Sequence, residues 1–137
     1  IVTDASGLGL DPIIDGAFSG HPADVEVAFR KAMASGVYPG MIVASAQRHA
    51  ALLHKARLSV EDGSSASAMM ETAFPRLHFS RRGTVENALR NLNSERLLQI
   101  ITQLAGTAFD MRKQTALAPT IAQRALLAIA ANARRRG

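Results

Sequence analysis

The segment NSERLLQIITQLAGTAFDMRKQ, residues 93–114, contains the most regular apolar pattern in the chain. Its apolar residues recur at intervals of three and four, which places them on one face of an α-helix. Ser94 precedes the first of them and is expected to cap the helix. The segment therefore predicts a long amphipathic helix with a buried face composed of Leu97, Ile100, Ile101, Leu104, Ala108 and Met111.

Helical patterns of the same kind occur on both sides of this segment, and no alternating run of β-branched residues predicts a strand. Ser64 or Ser65 is expected to cap one of these helices, and Pro75 to end it. Pro12 and Pro119 are interpreted as first-turn residues, where a missing backbone N–H is tolerated. The fold class is therefore all-α, a compact bundle of about five main helices plus short ones. The predicted helices span residues 10–18, 22–35, 39–61, 66–73, 79–91, from 94 onward and from 119 onward.

The composition is typical of a single globular domain. A chain of 137 residues with 47% apolar content can fill one core without metals or disulfides. The absence of cysteine excludes disulfides, thiolate nucleophiles and cysteine-based zinc sites, and is compatible with a reducing cytosol. No apolar run reaches about 18 residues, so we expect no membrane partner. Because the chain does not begin with Met, we interpret it as a piece of a longer protein.

The net charge of +5 is unevenly distributed. Residues 1–29 contain five acidic residues and no Lys or Arg, which leaves sixteen basic against six acidic residues in the remainder. Such a basic excess favours nucleic acid or an acidic protein as partner, but a high-GC genome that encodes Arg in place of Lys gives the same composition. The arginines of SRRG (80–83) and ARRRG (133–137) are candidate phosphate ligands. Arginines at a helix C-terminus equally suit the helix dipole, so both interpretations stay open.

The residues that carry chemistry form no recognisable site. His49 and His54 are five residues apart, about 140° around a helix, whereas two metal ligands on one face need a spacing of three or four. None of the three lysines follows a glycine-rich loop, so no phosphate-binding loop of that type is present. No set of nucleophile, base and carboxylate gives a catalytic signature. We therefore predict no metal, no cofactor and no catalytic residue in this chain.

Several segments, taken in order, resemble a known family. They are GVYPGMIVASAQRHAALLH (36–54), FPRLHFSRRGTVENALRNLNSERL (74–97), and a long helix that ends in DMRKQT (110–115) before a final helix rich in Leu and Ala. Together they resemble the C-terminal part of the delta subunit of bacterial DNA polymerase III, most of all its alphaproteobacterial versions. The resemblance begins at LGLDPIIDGAFSG (8–20) and depends on the order and spacing of the pieces. In the first segment the pattern is carried by Gly36, Pro39, Ile42, Arg48, His49, Leu53 and His54.

The resemblance implies a clamp-loader collar domain. In that family the collars of delta, delta prime and three gamma/tau subunits form a ring from which ATPase-like modules hang. Residues 1–9 would be the end of the preceding lid or linker, and residues 10–137 the helical collar. The domain would be a cytoplasmic scaffold without enzymatic activity, supporting the loading of the sliding clamp onto primed DNA. The clamp itself would be bound by an N-terminal module that is missing from this chain.

The resemblance also suggests two sets of site residues. Polar residues of the 39–61 helix would contact the adjoining subunit: Arg48, His49, His54 and Arg57. The residues at the end of the long helix that would approach template DNA are Arg112, Lys113 and Gln114. Residues 112–115 include no aromatic side chain on which a base could stack. Three alternatives stay open, namely the collar of a sister subunit (delta prime or gamma/tau), a free-standing helical module that binds nucleic acid, and a small helical enzyme.

Overall fold

The computed structural model describes residues 5–135, and every regular element within them is helical, which confirms the all-α prediction. None of these helices combines the length and the apolar character that crossing a bilayer requires. A single 3₁₀ turn, Thr115–Leu117, separates the last two helices. The helices are α1 (Ala5–Phe18), α2 (Pro22–Ala34), α3 (Pro39–Glu61), α4 (Ala66–Ala73), α5 (Phe79–Asn91), α6 (Ser94–Lys113) and α7 (Ala118–Arg134).

Local signals in the sequence set most of the helix boundaries. Helices α3, α4 and α5 have the predicted bounds, and α2 ends one residue before its predicted end. The Ser65 hydroxyl accepts a 3.0 Å hydrogen bond from the Ala68 backbone N–H, so Ser65 is the cap of α4. Helix α7 begins at Ala118, with Pro119 in its first turn as predicted.

The predicted start of α1 was wrong. The helix begins at Ala5 rather than at residue 10, and Pro12 therefore lies in its interior. An interior proline destabilises a helix by about 3 kcal/mol, because one backbone hydrogen bond is lost. Burial of Ile13 and Phe18 offsets this loss, since each such side chain contributes about 1.5–3 kcal/mol. The domain boundary expected between residues 9 and 10 falls inside α1, and residues 1–4 of the expected lid segment lie outside the described residues.

The N-cap of α6 also differs from the prediction. The cap is Asn93, whose side-chain oxygen accepts a 2.8 Å hydrogen bond from the Arg96 backbone N–H. Ser94, the predicted cap, instead donates to the Glu61 carboxylate through its backbone N–H at 3.0 Å and its hydroxyl at 2.7 Å. Glu61 is the last residue of α3, so this contact joins the end of α3 to the start of α6. The two helices pack against each other in antiparallel directions.

The core is formed by the facing sides of α1, α3, α6 and α7, with contributions from α2, α4 and α5. The predicted buried face of α6 is largely confirmed, and Thr107 joins it. On α3, Leu52 lies outside this core, because its side chain is 41% exposed. The largest fully buried side chains include Ile13, Phe18, Ile42, Leu53, Leu89, Leu97, Ile100, Leu104 and Leu126.

The turn between α1 and α2 lies directly on the end of α7. Gly20 in this turn has φ +80°, and a Cβ at this position would lie 3.0 Å from the backbone N and Cα of Arg134. From the other side, the Arg96 guanidinium donates to the Asn132 carbonyl, to Asn132 Oδ1 at 3.2 Å and to the Arg135 carbonyl at 2.8 Å. The end of α7 is thereby fixed between the α1–α2 turn and the start of α6.

Candidate interaction surfaces

The outward face of α3 combines apolar and cationic side chains. Met41 and Leu52 are 45% and 41% exposed, and Arg48 and Lys55 are exposed at helical spacing from them. We call these four residues the outer stripe of α3. Tyr38, the residue that precedes the helix, is 65% exposed at the end where the stripe begins. Two half-exposed apolar side chains beside cations, with Tyr38 at one end, make this face a candidate for binding another macromolecule.

The expectation that His49 lies on the polar margin of α3 was wrong. The side chain is buried. The centre of its ring lies 4.9 Å from the centre of the Phe18 ring, in an edge-on arrangement, and 5.6 Å from the centre of the Phe74 ring. Burial in this apolar setting lowers the pKa of the His49 imidazole to about 4, so the ring is neutral near pH 7. His49 follows Ala46 by three residues and precedes Leu53 by four, a spacing that places it on the buried face.

Arg57 bonds groups within the domain. Its Nη1 donates to the carbonyls of Leu89 and Arg90 at 3.0 and 2.9 Å, at the end of α5, and its Nε donates to Glu61 at 3.0 Å. Hydrogen bonds from Ser94 and then from Arg57 lower the pKa of the Glu61 carboxyl to about 2. The side chain of Arg57 therefore satisfies carbonyls at a helix end and links α3 with α5.

The four residues expected at a subunit interface do not form one surface. Arg48 lies in the outer stripe, whereas His54 is half-buried about 120° away around the helix. His49 is in the core, and Arg57 points to α5. Arg48 is the member of the set with the most accessible side chain, and its contact with another subunit stays a prediction.

The residues expected near DNA lie at the opposite end of α6 from Ser94. Arg112 and Lys113 end the helix, Gln114 follows, and all three are exposed. Residues 112–115 contain no aromatic, but Phe109, one turn earlier in α6, is 52% exposed, and the Lys113 ammonium lies 5.4 Å from the centre of its ring. Leu117, in the 3₁₀ turn, is 50% exposed. We call Phe109, Arg112, Lys113, Gln114 and Leu117 the α6–α7 corner.

The arginines of SRRG are engaged inside the domain. Arg81 forms two parallel hydrogen bonds with Asp15, at 2.9 and 2.7 Å, and lies 3.2 Å from Asp11. The bonds to Asp15 raise the pKa of the Arg81 guanidinium, while burial raises the pKa of the Asp11 carboxyl. Arg82 pairs with Glu71 at 2.6 Å. These ion pairs compensate the positive charges of Arg81 and Arg82, so SRRG is a poor phosphate ligand.

The arginines near the end of α7 are arranged differently. They border an open cleft of about 690 Å³, whose walls are the α1–α2 turn, the end of α5, the start of α6 and the end of α7. We call it the arginine cleft. Among the residues that the structure describes, its charged and ionisable lining consists of four arginines, one histidine and one aspartate: Arg90, Arg96, Arg134, Arg135, His21 and Asp24.

The remaining ionisable residues form no metal centre in the part of the chain that the structure describes. There, no three His, Asp or Glu side chains are grouped so that they could hold a metal ion. His21 and His78 occupy the positions just before α2 and α5. The Nδ1 atom of His78 accepts a 3.1 Å hydrogen bond from the Ser80 backbone N–H, so this histidine acts as a helix cap.

Comparison with protein-family models, with curated protein sequences and with solved structures finds no match to this chain. The three surfaces described above, namely the outer stripe of α3, the α6–α7 corner and the arginine cleft, are therefore interpreted from their own geometry and from the order of the sequence segments. Two of them combine exposed apolar side chains with cations, and the third is a polar cleft dominated by arginine.

Proposed function

We propose that this chain is the collar domain of a delta subunit of a bacterial DNA polymerase III clamp loader. Its role is to hold sister subunits, delta prime and gamma/tau, in a ring in the cytoplasm. The domain catalyses no reaction itself. It supports clamp loading onto primed DNA because a rigid helical bundle fixes the positions of the modules attached to it. The order and spacing of the sequence segments favour delta over its sister subunits.

The observation that carries this proposal is the outer stripe of α3. Met41 and Leu52 leave about half of their apolar surface in water, beside Arg48 and Lys55. Interfaces between subunits are enriched in apolar side chains and Arg, and association removes this exposed surface from water.

A ring requires that each subunit present two different surfaces, because its neighbours on either side contact it from opposite directions. The α6–α7 corner supplies a second surface with exposed Phe109 and Leu117. It includes the end of α6 and the 3₁₀ turn, whereas the outer stripe lies on the outward face of α3. Two separate apolar surfaces are what a head-to-tail assembly needs.

The test is assembly. The chain is mixed with delta prime and gamma/tau from an alphaproteobacterium, and the products are sized by gel filtration with light scattering. The wild-type chain is expected to elute in a complex. Leu52→Asp is expected to weaken assembly more than about tenfold, because it places an unpaired charge in an apolar contact.

Val27→Asp is the matched control, since Val27 is a 54% exposed apolar residue on α2, outside the outer stripe. It makes the same chemical change on a different helix and is expected to assemble as the wild type does. Failure of the wild-type chain to associate with any of the subunits would refute the proposed function. Equal assembly by Leu52→Asp and wild type would show that the outer stripe is not the contact surface.

A further inference from the structure

The arginine cleft is formed by parts of the chain that are far apart in sequence. Arg90 lies at the end of α5 and Arg96 in the first turn of α6, while Arg134 and Arg135 come from the end of α7. Gly20 permits the α1–α2 turn to approach the backbone of Arg134, and this close contact closes one side of the cleft. The fold thus brings these four arginines to one concave surface.

The positive charge in this cleft is only partly compensated. Arg90 pairs with Glu86, and Arg96 bonds neutral carbonyl and amide oxygens of α7. Within residues 5–135, Arg134 and Arg135 form no ion pair and both are exposed. The one acidic side chain among the described lining residues is Asp24.

The bonds of Arg96 also give the cleft a defined shape. By binding the carbonyls of Asn132 and Arg135, Arg96 holds the last turn of α7 in place and so positions the backbone from which Arg134 and Arg135 extend. A charged site with a fixed backbone loses less conformational freedom on binding than a flexible tail does. The run of arginines is therefore part of a shaped surface.

We propose that the arginine cleft binds the sugar–phosphate backbone of a nucleic acid. Guanidinium groups donate paired hydrogen bonds to phosphate oxygens, and such contacts are independent of base sequence. Among the described residues, none of the large exposed apolar side chains lines the cleft, so it offers no anchor of the kind that a protein partner uses. The lining favours a polyanion without apolar anchor groups.

The neighbouring surface favours an extended ligand over a single phosphate. A larger groove of about 1020 Å³ between α1, α2 and α5 shares Ser19, His21, Asp24, Asn91 and Ala133 with the arginine cleft, so the two are continuous. Lys31 lines this groove and adds a cation on α2, beside the carboxylates of Asp24 and of Asp15, which pairs with Arg81. A backbone several nucleotides long can follow such a path, whereas a small anion occupies only one part of it.

This inference goes beyond the collar function and does not depend on it. Helix α1 ends at the arginine cleft, and the groove that continues from the cleft follows α1 back to Gly9. Binding at this site can be measured on the chain alone, without any other subunit.

The experiment measures binding of a fluorescein-labelled DNA duplex, and of one of its strands, to the 137-residue chain by fluorescence anisotropy over a range of salt concentrations. The test variant is Arg134→Gln with Arg135→Gln, which keeps the Arg135 carbonyl that Arg96 binds. We expect affinity to fall at least about tenfold at low salt. The slope of log K against log salt is expected to decrease in magnitude by about 2, since two phosphate contacts are removed.

The matched control is Arg48→Gln with Lys55→Gln, which removes the same charge from the outer stripe of α3. If DNA bound by diffuse attraction to a basic protein, both double variants would weaken binding equally, and the proposal would be wrong. Asp24→Asn gives an opposite test: it is expected to tighten binding, because it removes the carboxylate that repels phosphate. Circular dichroism spectra and thermal midpoints of all variants exclude misfolding as the cause.

Competitors identify the class of ligand. Displacement of DNA by inorganic phosphate at millimolar concentration would point to a small-anion site and overturn the assignment to a polymer. Displacement by polyglutamate at the same concentration of charge as DNA would point to an acidic protein instead and equally overturn it. Failure of the wild-type chain to bind either form of DNA at low salt would also refute the proposal, whatever the outcome of the assembly test.

Discussion

Replacing Gly20 by alanine tests the contact that fixes the end of α7. The residue has φ +80°, a conformation that costs an L-residue about 1–2 kcal/mol. In addition, the new Cβ would meet the backbone N and Cα of Arg134 at 3.0 Å, and backbone atoms cannot move aside as a flexible side chain can. Overpacking of this kind costs about 1–3 kcal/mol. We therefore expect Gly20→Ala to lower the free energy of unfolding by about 2–5 kcal/mol.

Gly36→Ala separates the two contributions. Gly36 has nearly the same backbone conformation, φ +82°, but nothing lies within 4 Å of an added Cβ. Only the conformational cost applies, so the expected loss is about 1–2 kcal/mol. The difference between the two variants measures the close approach of the α1–α2 turn to α7, which forms one wall of the arginine cleft.

The assay is urea unfolding followed by far-ultraviolet circular dichroism, because the chain has no tryptophan and one tyrosine. The urea dependence of the free energy should be the same in both variants and in the wild type, so that the midpoints report stability alone. Equal losses for Gly20→Ala and Gly36→Ala would refute the argument, because they would show that the turn does not lie against Arg134.

Three further predictions concern the interior and the helix ends. Because the buried His49 has a pKa of about 4 against 6.5 in the unfolded chain, only the unfolded state takes up its proton as the pH falls between these values. The wild type should therefore lose roughly 3 kcal/mol of stability through His49 between pH 6.5 and pH 4. His49→Leu should not show this loss, and the comparison is made from unfolding curves of both proteins at the two pH values. A double-mutant cycle of Asp15→Asn and Arg81→Gln should give a coupling energy of about 1–3 kcal/mol, since both side chains are mostly shielded and doubly bonded. Asn93→Ala should lower stability by about 1 kcal/mol through loss of the α6 cap, and no change in the unfolding midpoint would contradict that assignment.

The sequence predicted those parts of the fold that are specified by local chemistry. Pro39 starts α3, the Ser65 hydroxyl caps α4, and the boundaries of both helices follow from these signals. Helix α1 was predicted too short because Asp11 and Pro12 resemble a helix start. The helix continues through them because the packing of its apolar face against the rest of the domain outweighs the local cost, and packing is not visible in a local pattern.

The candidate sites were less predictable, since they depend on the direction of side chains. The spacing of His49 from Ala46 and Leu53 places it on the buried face of α3. The prediction failed because it assigned His49 to the polar face on the ground that histidine is a polar residue. The bonds from Arg57 to carbonyls of α5 join residues 32 and 33 positions apart and need the tertiary structure. For the same reason, the sequence shows the arginines at 134 and 135 as a charged tail, whereas the fold places them beside Arg90 and Arg96.

The arrangement of the helices determines whether these surfaces can act together. The α6–α7 corner and the arginine cleft lie at opposite ends of α6, whose 20 residues span about 30 Å. Charges at that distance are screened at physiological salt, where the Debye length is about 8 Å. Nucleic acid in the cleft would therefore leave the electrostatics of the corner almost unchanged. Each surface can be altered without disturbing the other, so the proposed subunit assembly and the proposed nucleic-acid binding can be tested separately.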